Sequence, residues 1–224
     1  MTHFKIFFRK ISGFFLLFTL ISISNYSFAE SGDEKFGPIS NKDLGFLFKK
    51  GRVSMQFVGG GLWSPFLINE YRPDIDYYQA NLRVGVMLTD PDKPKYFFRG
   101  NVEGIIEATY SKVHEGSGTF LYGGAFLVRY NIFNSKSRIV PYMQVGAGVV
   151  YNDIYKDRDQ GVVGQSIEFT VRSSIGTRFY VSDNWSIDVE GTFEHVSNAG
   201  MSDRNGGINA GGGFIGFTYF FLEQ

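Results

Sequence analysis

The chain has 224 residues, with 22 basic and 22 acidic side chains, so its formal net charge is zero. Nucleic-acid-binding surfaces are basic and clustered, and this composition offers no such surface. The chain contains no cysteine, which excludes disulfide bonds and cysteine metal sites. Its 28 glycines and 17% aromatic residues, without helical periodicity, indicate a β-protein.

The N-terminal segment has the layout of a secretory signal peptide. Three basic residues among the first ten precede an apolar run over residues 11–23, and Ser27 and Ala29 supply the small residues of a cleavage site. The alternative, a single N-terminal membrane helix, is disfavoured because the apolar run is short. We predict a signal peptide over residues 1–29 and an N-terminal periplasmic segment with little regular structure over residues 30–50.

After Gly51, apolar residues recur at every second position, which is the periodicity of a β-strand. Each apolar segment is longer than the usual globular strand of about five or six residues. The pattern predicts eight strands, at residues 52–64, 75–89, 97–112, 118–133, 139–151, 165–181, 184–197 and 207–222.

The two faces of these strands differ sharply in polarity. One face is almost purely apolar, aromatic or glycine. The other face carries charged residues, namely Arg83, Arg99, Glu103, Glu107, Arg129, Glu168, Arg172, Arg178, Asp188 and Glu190. A soluble sandwich that exposes these charges to water is the alternative. Strands of this length favour a membrane-spanning barrel, for which roughly 9–11 residues per strand suffice.

The sequence therefore predicts an all-β fold, an eight-stranded antiparallel transmembrane β-barrel of the outer membrane, over residues 51–224. Aromatic residues gather at the strand ends, as in the girdles of such barrels, and closure removes the edges that lipid cannot satisfy. Connections near 90–96, 134–138 and 182–183 are short and the others are mostly longer, so both termini are expected in the periplasm. Side chains can fill an eight-stranded interior, so we expect no pore.

The end of the seventh predicted strand combines the apolar face with two reactive side chains. His195 and Ser197 continue the alternation of Trp185, Ile187, Val189 and Phe193, so they face lipid at the extracellular end. Residues two apart on a strand lie about 6.6 Å apart and point the same way. A histidine beside a serine hydroxyl is the minimum for nucleophilic acyl transfer.

A third group must orient the imidazole. If residue 197 pairs with residue 207 across the last hairpin, Asn209 stands opposite His195 and can reach its ring. Glu194 points inward by alternation and is a poor substitute. Asp203, in the outer loop, is a weaker option. On spacing alone the motif is a weak indication of catalysis, and a polar patch at a strand end is an adequate structural explanation.

Residues 195–199 (His-Val-Ser-Asn-Ala), followed by residues 205–209 (Asn-Gly-Gly-Ile-Asn), resemble the outer-membrane lipid A 3-O-deacylases. The resemblance implies an eight-stranded barrel that removes an ester-linked acyl chain, at the 3-position, from lipid A of lipopolysaccharide in the outer leaflet. It also implies that Ser197 is the nucleophile and His195 the general base. Asn198 would contribute to the oxyanion hole, together with a backbone N–H group such as that of Gly200.

The chain departs from this family at one position, because the best-known members have a glutamate where this chain has Asn209. An asparagine oxygen can still accept a hydrogen bond from the imidazole, as in Cys-His-Asn proteases, but it cannot stabilise the imidazolium by charge. We expect no metal and no cofactor. Two alternatives remain, a non-enzymatic structural barrel and an acyltransferase acting on lipid A.

The remaining polar residues are not predicted to form a functional site. His114, in a predicted outer loop, is expected to be solvated. Asp153, Asp157 and Asp159 resemble a calcium loop only superficially, since they have no EF-hand spacing, and are expected to face water.

Overall fold

A computed structural model describes residues 44–64, 73–91, 99–133 and 137–221. The predicted signal peptide and most of the predicted periplasmic segment lie outside these residues. Eight antiparallel strands form a closed barrel in chain order, with the eighth pairing with the first. They are β1 (Val53–Trp63), β2 (Asp76–Met87), β3 (Arg99–Glu115), β4 (Phe120–Phe133), β5 (Ile139–Asn152), β6 (Ile167–Tyr180), β7 (Trp185–Ser197) and β8 (Ile208–Phe220). The predicted eight-stranded antiparallel barrel is confirmed.

The strand bounds agree with the periodic segments to within a few residues, and the largest difference is in β3. This strand continues to Glu115, whereas alternation predicted its end at residue 112. The extension forms because Val113 and Glu115 still pair with β2, across a register shift between Asp76 and Tyr77. His114, expected in a loop, therefore belongs to a strand.

The barrel is apolar outside and polar inside. Outward side chains such as Ile106 and Ile215 are 71% and 63% exposed, whereas the charged side chains of the opposite face that the structure describes, such as Arg83 and Glu190, are buried in the interior. The side chain of Arg99 lies outside the described part of the chain. A water-soluble fold would place these two faces the other way round. The pattern matches a barrel whose outer surface contacts lipid and whose lumen is filled by its own side chains.

Ion pairs join the strands across the lumen. Arg83 contacts Glu107 at 2.6 Å and Glu190 at 2.8 Å. Arg172 also contacts Glu107 and lies 3.0 Å from Glu194. Buried charges are tolerated only when they are paired and hydrogen-bonded. These ion pairs therefore link β2, β3, β6 and β7 through the interior of the barrel.

The end of the barrel that carries the chain termini, called the terminus end below, is closed by a short 3-10 helix at Leu44–Phe48. Leu44, Leu47 and Phe48 are buried in an apolar cluster with Met87, Val140, Tyr180 and Phe220. The sequence predicted little regular structure here, because five residues are too few to show a periodicity. Among the described residues, no helix is both long and apolar enough to cross a membrane.

Candidate active site

His195, Ser197 and Asn209 form one hydrogen-bonded chain on the outward face of β7 and β8. His195 and Asn209 are directly paired across the two strands. His195 Nδ1 lies 2.7 Å from Asn209 Oδ1, and His195 Nε2 lies 2.9 Å from Ser197 Oγ. The amide oxygen can only accept, so Nδ1 carries the proton and donates it. Nε2 is then the acceptor for the serine hydroxyl, which is the arrangement that a general base requires.

The chain of hydrogen bonds is buried at its Asn209 end and accessible at its Ser197 end. Asn209 is only 7% exposed, whereas His195 and Ser197 are half-buried. Water therefore competes poorly for the contact between the asparagine and the imidazole. The serine hydroxyl remains accessible from the outer surface of the barrel.

Gly207, immediately before β8, makes room for the imidazole. A Cβ atom built at this position would lie 2.9 Å from His195 Cε1, and the backbone φ of +72° is one that side chains other than glycine rarely adopt. Its backbone N–H donates to the carbonyl oxygen of Val162 in the preceding outer loop. Sequence reasoning included Gly207 in the motif without assigning it a function.

The residues predicted to form the oxyanion hole lie in the turn that follows Ser197. The buried side chain of Asn198 accepts hydrogen bonds from the backbone N–H groups of Gly200 (3.0 Å) and Ser202 (3.4 Å). It donates to the carbonyl oxygen of Arg204 at 3.0 Å. The side-chain amide of Asn198 and the N–H of Gly200 are thus both engaged within the turn itself.

The turn also contains an unusual backbone conformation. Ala199 has a φ of 54° and is the one non-glycine residue with positive φ in the described chain. Gly200 follows with a φ of 84°. A strained residue persists only where its surroundings hold it, and such residues concentrate at functional sites. The hydrogen bonds of Asn198 provide that constraint here.

Arg204 connects this turn to the neighbouring outer loop, residues 153–166. Its guanidinium donates to the carbonyl oxygens of Asp157 (2.7 Å), Tyr155 (2.8 Å) and Gln160 (3.4 Å). Sequence reasoning missed Arg204, because its partners are backbone groups 44 to 49 residues away and have no sequence signature.

The two alternative orienting residues do not contact the imidazole. Glu194 points into the lumen, where its carboxylate accepts from Thr170 and Arg172 at 3.0 Å each. Asp203 is exposed in the turn.

Asp153 and Asp157 link two outer loops through hydrogen bonds. Asp153 Oδ1 accepts the backbone N–H groups of Thr119 (2.7 Å) and Phe120 (3.0 Å). Partial burial raises the pKa of the Asp153 carboxyl, but these hydrogen bonds outweigh it and hold that pKa below its usual range. Asp157 accepts from Ser117 Oγ at 2.6 Å. The part of the chain that the structure describes contains no group of three or more His, Cys, Asp or Glu side chains able to hold a metal ion.

Comparison with known families identifies the family that this chain matches. The family model of lipid A 3-O-deacylase (PagL) matches residues 76–218, a span that holds β7, its following turn and most of β8. The chain belongs to the lipid A 3-O-deacylase family. The resemblance predicted from residues 195–209 is thereby confirmed at the level of the family, and the protein is an outer-membrane β-barrel.

Solved structures also align with the chain, at low sequence identity. Neisserial surface protein A aligns with a TM-score of 0.54 and 13% identity over 76% of this chain and 97% of that one, which shows the fold alone. The outer membrane enzyme PagL aligns with a TM-score of 0.49 and 21% identity over 73% of this chain and 97% of that one. None of the curated proteins compared with the chain matches it.

Proposed function

We propose that this barrel hydrolyses the ester at the 3-position of lipid A, with Ser197 as nucleophile, His195 as general base and Asn209 as the residue that orients the imidazole. The observation that carries the proposal is the chain of hydrogen bonds from Ser197 Oγ through His195 to Asn209 Oδ1. Membership of the lipid A 3-O-deacylase family supports the choice of substrate.

These side chains and water supply the nucleophiles and the proton transfers of the reaction. His195 Nε2 takes the hydroxyl proton while Ser197 Oγ attacks the acyl carbonyl carbon, and a tetrahedral oxyanion forms. The imidazolium then returns the proton to the 3-oxygen of the sugar, which leaves, and the acyl group remains on Ser197. A water molecule, deprotonated by His195, releases the fatty acid and restores the serine.

We assign the oxyanion hole to Asn198 and Gly200. Both are engaged in hydrogen bonds within the turn, so stabilising the oxyanion requires the Gly200 N–H to exchange its Asn198 Oδ1 acceptor for the substrate oxygen. A positioned donor of this kind contributes about 3–4 kcal/mol to transition-state stabilisation in other enzymes. The adjacent positive φ of Ala199 is consistent with a turn that is held ready for this exchange.

The outward direction of Ser197 explains how a membrane lipid reaches the site. The substrate diffuses laterally along the barrel wall, so neither a lumen nor a channel is needed. We propose that the end carrying the turn after Ser197 faces the cell exterior, because the longer loops lie there and the termini lie at the other end. We further propose that residues 1–29 are removed as a signal peptide and that residues 30–50 remain periplasmic.

Mass spectrometry of lipid A from cells that express the variants tests this function. Ser197→Ala should abolish the loss of one acyl chain, and His195→Ala should do the same, because the two side chains act as a unit. Ser173→Ala is the matched control, since Ser173 is an exposed serine facing outward on the adjacent strand β6, and it should retain activity.

The products separate the alternative functions. Hydrolysis predicts free fatty acid in proportion to the deacylated lipid A. Transfer of the chain to another lipid would establish an acyltransferase instead. Unchanged lipid A in cells containing the folded wild-type protein would favour a structural barrel, and full activity in Ser197→Ala would exclude the proposed mechanism.

A further inference from the structure

The outward face of the barrel is almost free of charge. Among the outward-facing strand positions that the structure describes, Lys112 on β3 is the only lysine, arginine, aspartate or glutamate. Lys112 is exposed and has no acidic partner among the described residues. Glu115, at the end of the strand, falls on the opposite face by alternation. A lysine near the end of a lipid-facing strand extends its ammonium group to the membrane interface, where anionic headgroups are available as partners.

Aromatic residues neighbour Lys112 on the same face of the sheet. Lys112 is directly paired with Tyr78 on β2 and with Phe120 on β4. The ring of His114, two residues further along β3, lies 4.6 Å from that of Tyr78. Tyr110, two residues before Lys112, is 55% exposed. These five residues, of which Phe120 is half-buried and the others are exposed, form what we call the Lys112 patch.

The order of side chains along β3 follows the depth profile of a bilayer leaflet. Ile106, near the middle of the strand, is followed on the same face by Tyr110, Lys112 and His114. Six residues span about 20 Å along a strand, or about 15 Å along the membrane normal at a tilt of about 40°. Half of the apolar band is about 12 Å, so the ammonium group of Lys112 reaches the headgroup level.

The Lys112 patch is separate from the proposed active site. In a closed ring of eight strands, β3 lies four strands from β7 in either direction, on the opposite side of the barrel. Both β3 and β7 end at the same rim, so the patch and Ser197 contact the same leaflet. A lipid bound at the patch cannot be the molecule whose ester lies at Ser197.

We propose that the Lys112 patch binds a second lipid A molecule of the outer leaflet through one of its phosphate groups. Lipid A is a phosphorylated, acylated disaccharide. Its phosphate would pair with the ammonium group, while its sugar and upper acyl carbons pack against Tyr78, Tyr110 and Phe120. Basic residues at a membrane surface attract anionic headgroups in this way, and aromatic residues anchor the same interface.

Native mass spectrometry of the detergent-solubilised barrel tests the proposal. All proteins carry Ser197→Ala so that the probe, bisphosphorylated lipid A, is not consumed. Consumption of the probe by this variant would refute the proposed function without bearing on the Lys112 patch. We expect Lys112→Ala to weaken binding of one lipid A per barrel by about fivefold or more, and Lys112→Arg to preserve it. Lys156→Ala removes an exposed lysine of the outer loop and should leave binding unchanged.

Two further probes identify what the patch recognises. Dephosphorylated lipid A should bind equally to the parent and to Lys112→Ala, because the interaction with phosphate is absent from both. Binding of phosphatidylglycerol should depend less on Lys112 than binding of lipid A does. The proposal is overturned if Lys112→Ala binds lipid A like its parent, if Lys156→Ala causes the same loss, or if either probe depends on Lys112 as strongly as lipid A.

Discussion

Substituting Asn209 separates two ways of orienting a catalytic imidazole, by position alone or by position together with charge. Asn209→Ala removes the acceptor that lies 2.7 Å from His195 Nδ1. The asparagine is only 7% exposed, so water replaces its oxygen poorly. A buried donor left without a partner costs about 1–3 kcal/mol, which corresponds to about a 5- to 150-fold loss in kcat/KM.

Asn209→Asp keeps the shape of the side chain and adds a negative charge. An imidazolium and a carboxylate about 4 Å apart attract by about 4 kcal/mol at an effective dielectric constant of ~20. Burying the carboxylate costs several kcal/mol in the other direction. We therefore expect activity between unchanged and about tenfold higher. Asn209→Glu introduces the residue that the best-known family members have, and should fall in the same range.

The assay is release of the fatty acid from lipid A by purified protein in detergent, followed by mass spectrometry, with kcat/KM obtained for each variant. Heat-dependent mobility on gels reports whether each barrel is folded. The reasoning is refuted if Asn209→Ala is as active as the wild type. It is equally refuted if Asn209→Asp loses as much activity as Asn209→Ala, since the aspartate retains the acceptor.

Three further substitutions test the surroundings of the site. Gly207→Ala should reduce deacylation by about tenfold or more by displacing the imidazole, whereas Gly51→Ala, at a similar φ of +86° but with nothing within 4 Å, should keep full activity. Arg204→Ala should release the turn after Ser197 from the outer loop, giving faster proteolysis of the loops and lower kcat in an intact barrel, with Arg204→Lys intermediate. Asp153→Ala should lower Tm near neutral pH. Because the Asp153 pKa lies below its usual value, the stabilisation is complete above about pH 4 and is lost as the pH falls through the folded pKa, so the difference in Tm should shrink in acid.

The sequence predicts the barrel wall well because each strand has one lipid face and one lumen face. A shift of one residue would move every side chain to the other face, so the alternation determines which side chains face lipid and which face the lumen. The same alternation places His195 and Ser197 outward, and the hairpin pairing places Asn209 opposite His195. These positions depend on local periodicity and on one hairpin, which a single sequence displays.

The loops and the terminus end follow from contacts that periodicity does not reveal. Arg204 is anchored by carbonyl oxygens, which every residue has, so no spacing identifies its partners. The helix at Leu44–Phe48 is defined by an apolar cluster drawn from four strands. The engagement of Asn198 within its own turn depends on backbone angles at Ala199 and Gly200 that the residue types permit but do not dictate.

The central claim is that His195 activates Ser197 as a nucleophile, and covalent labelling tests it most directly. A lipophilic fluorophosphonate, which reacts with activated serines, should add one label per folded barrel, and peptide mass spectrometry should locate that label on Ser197. His195→Ala should lose the label while Ser173→Ala keeps it. Deacylation by a barrel that is never labelled at Ser197, or equal labelling of Ser197 in His195→Ala, would contradict the account.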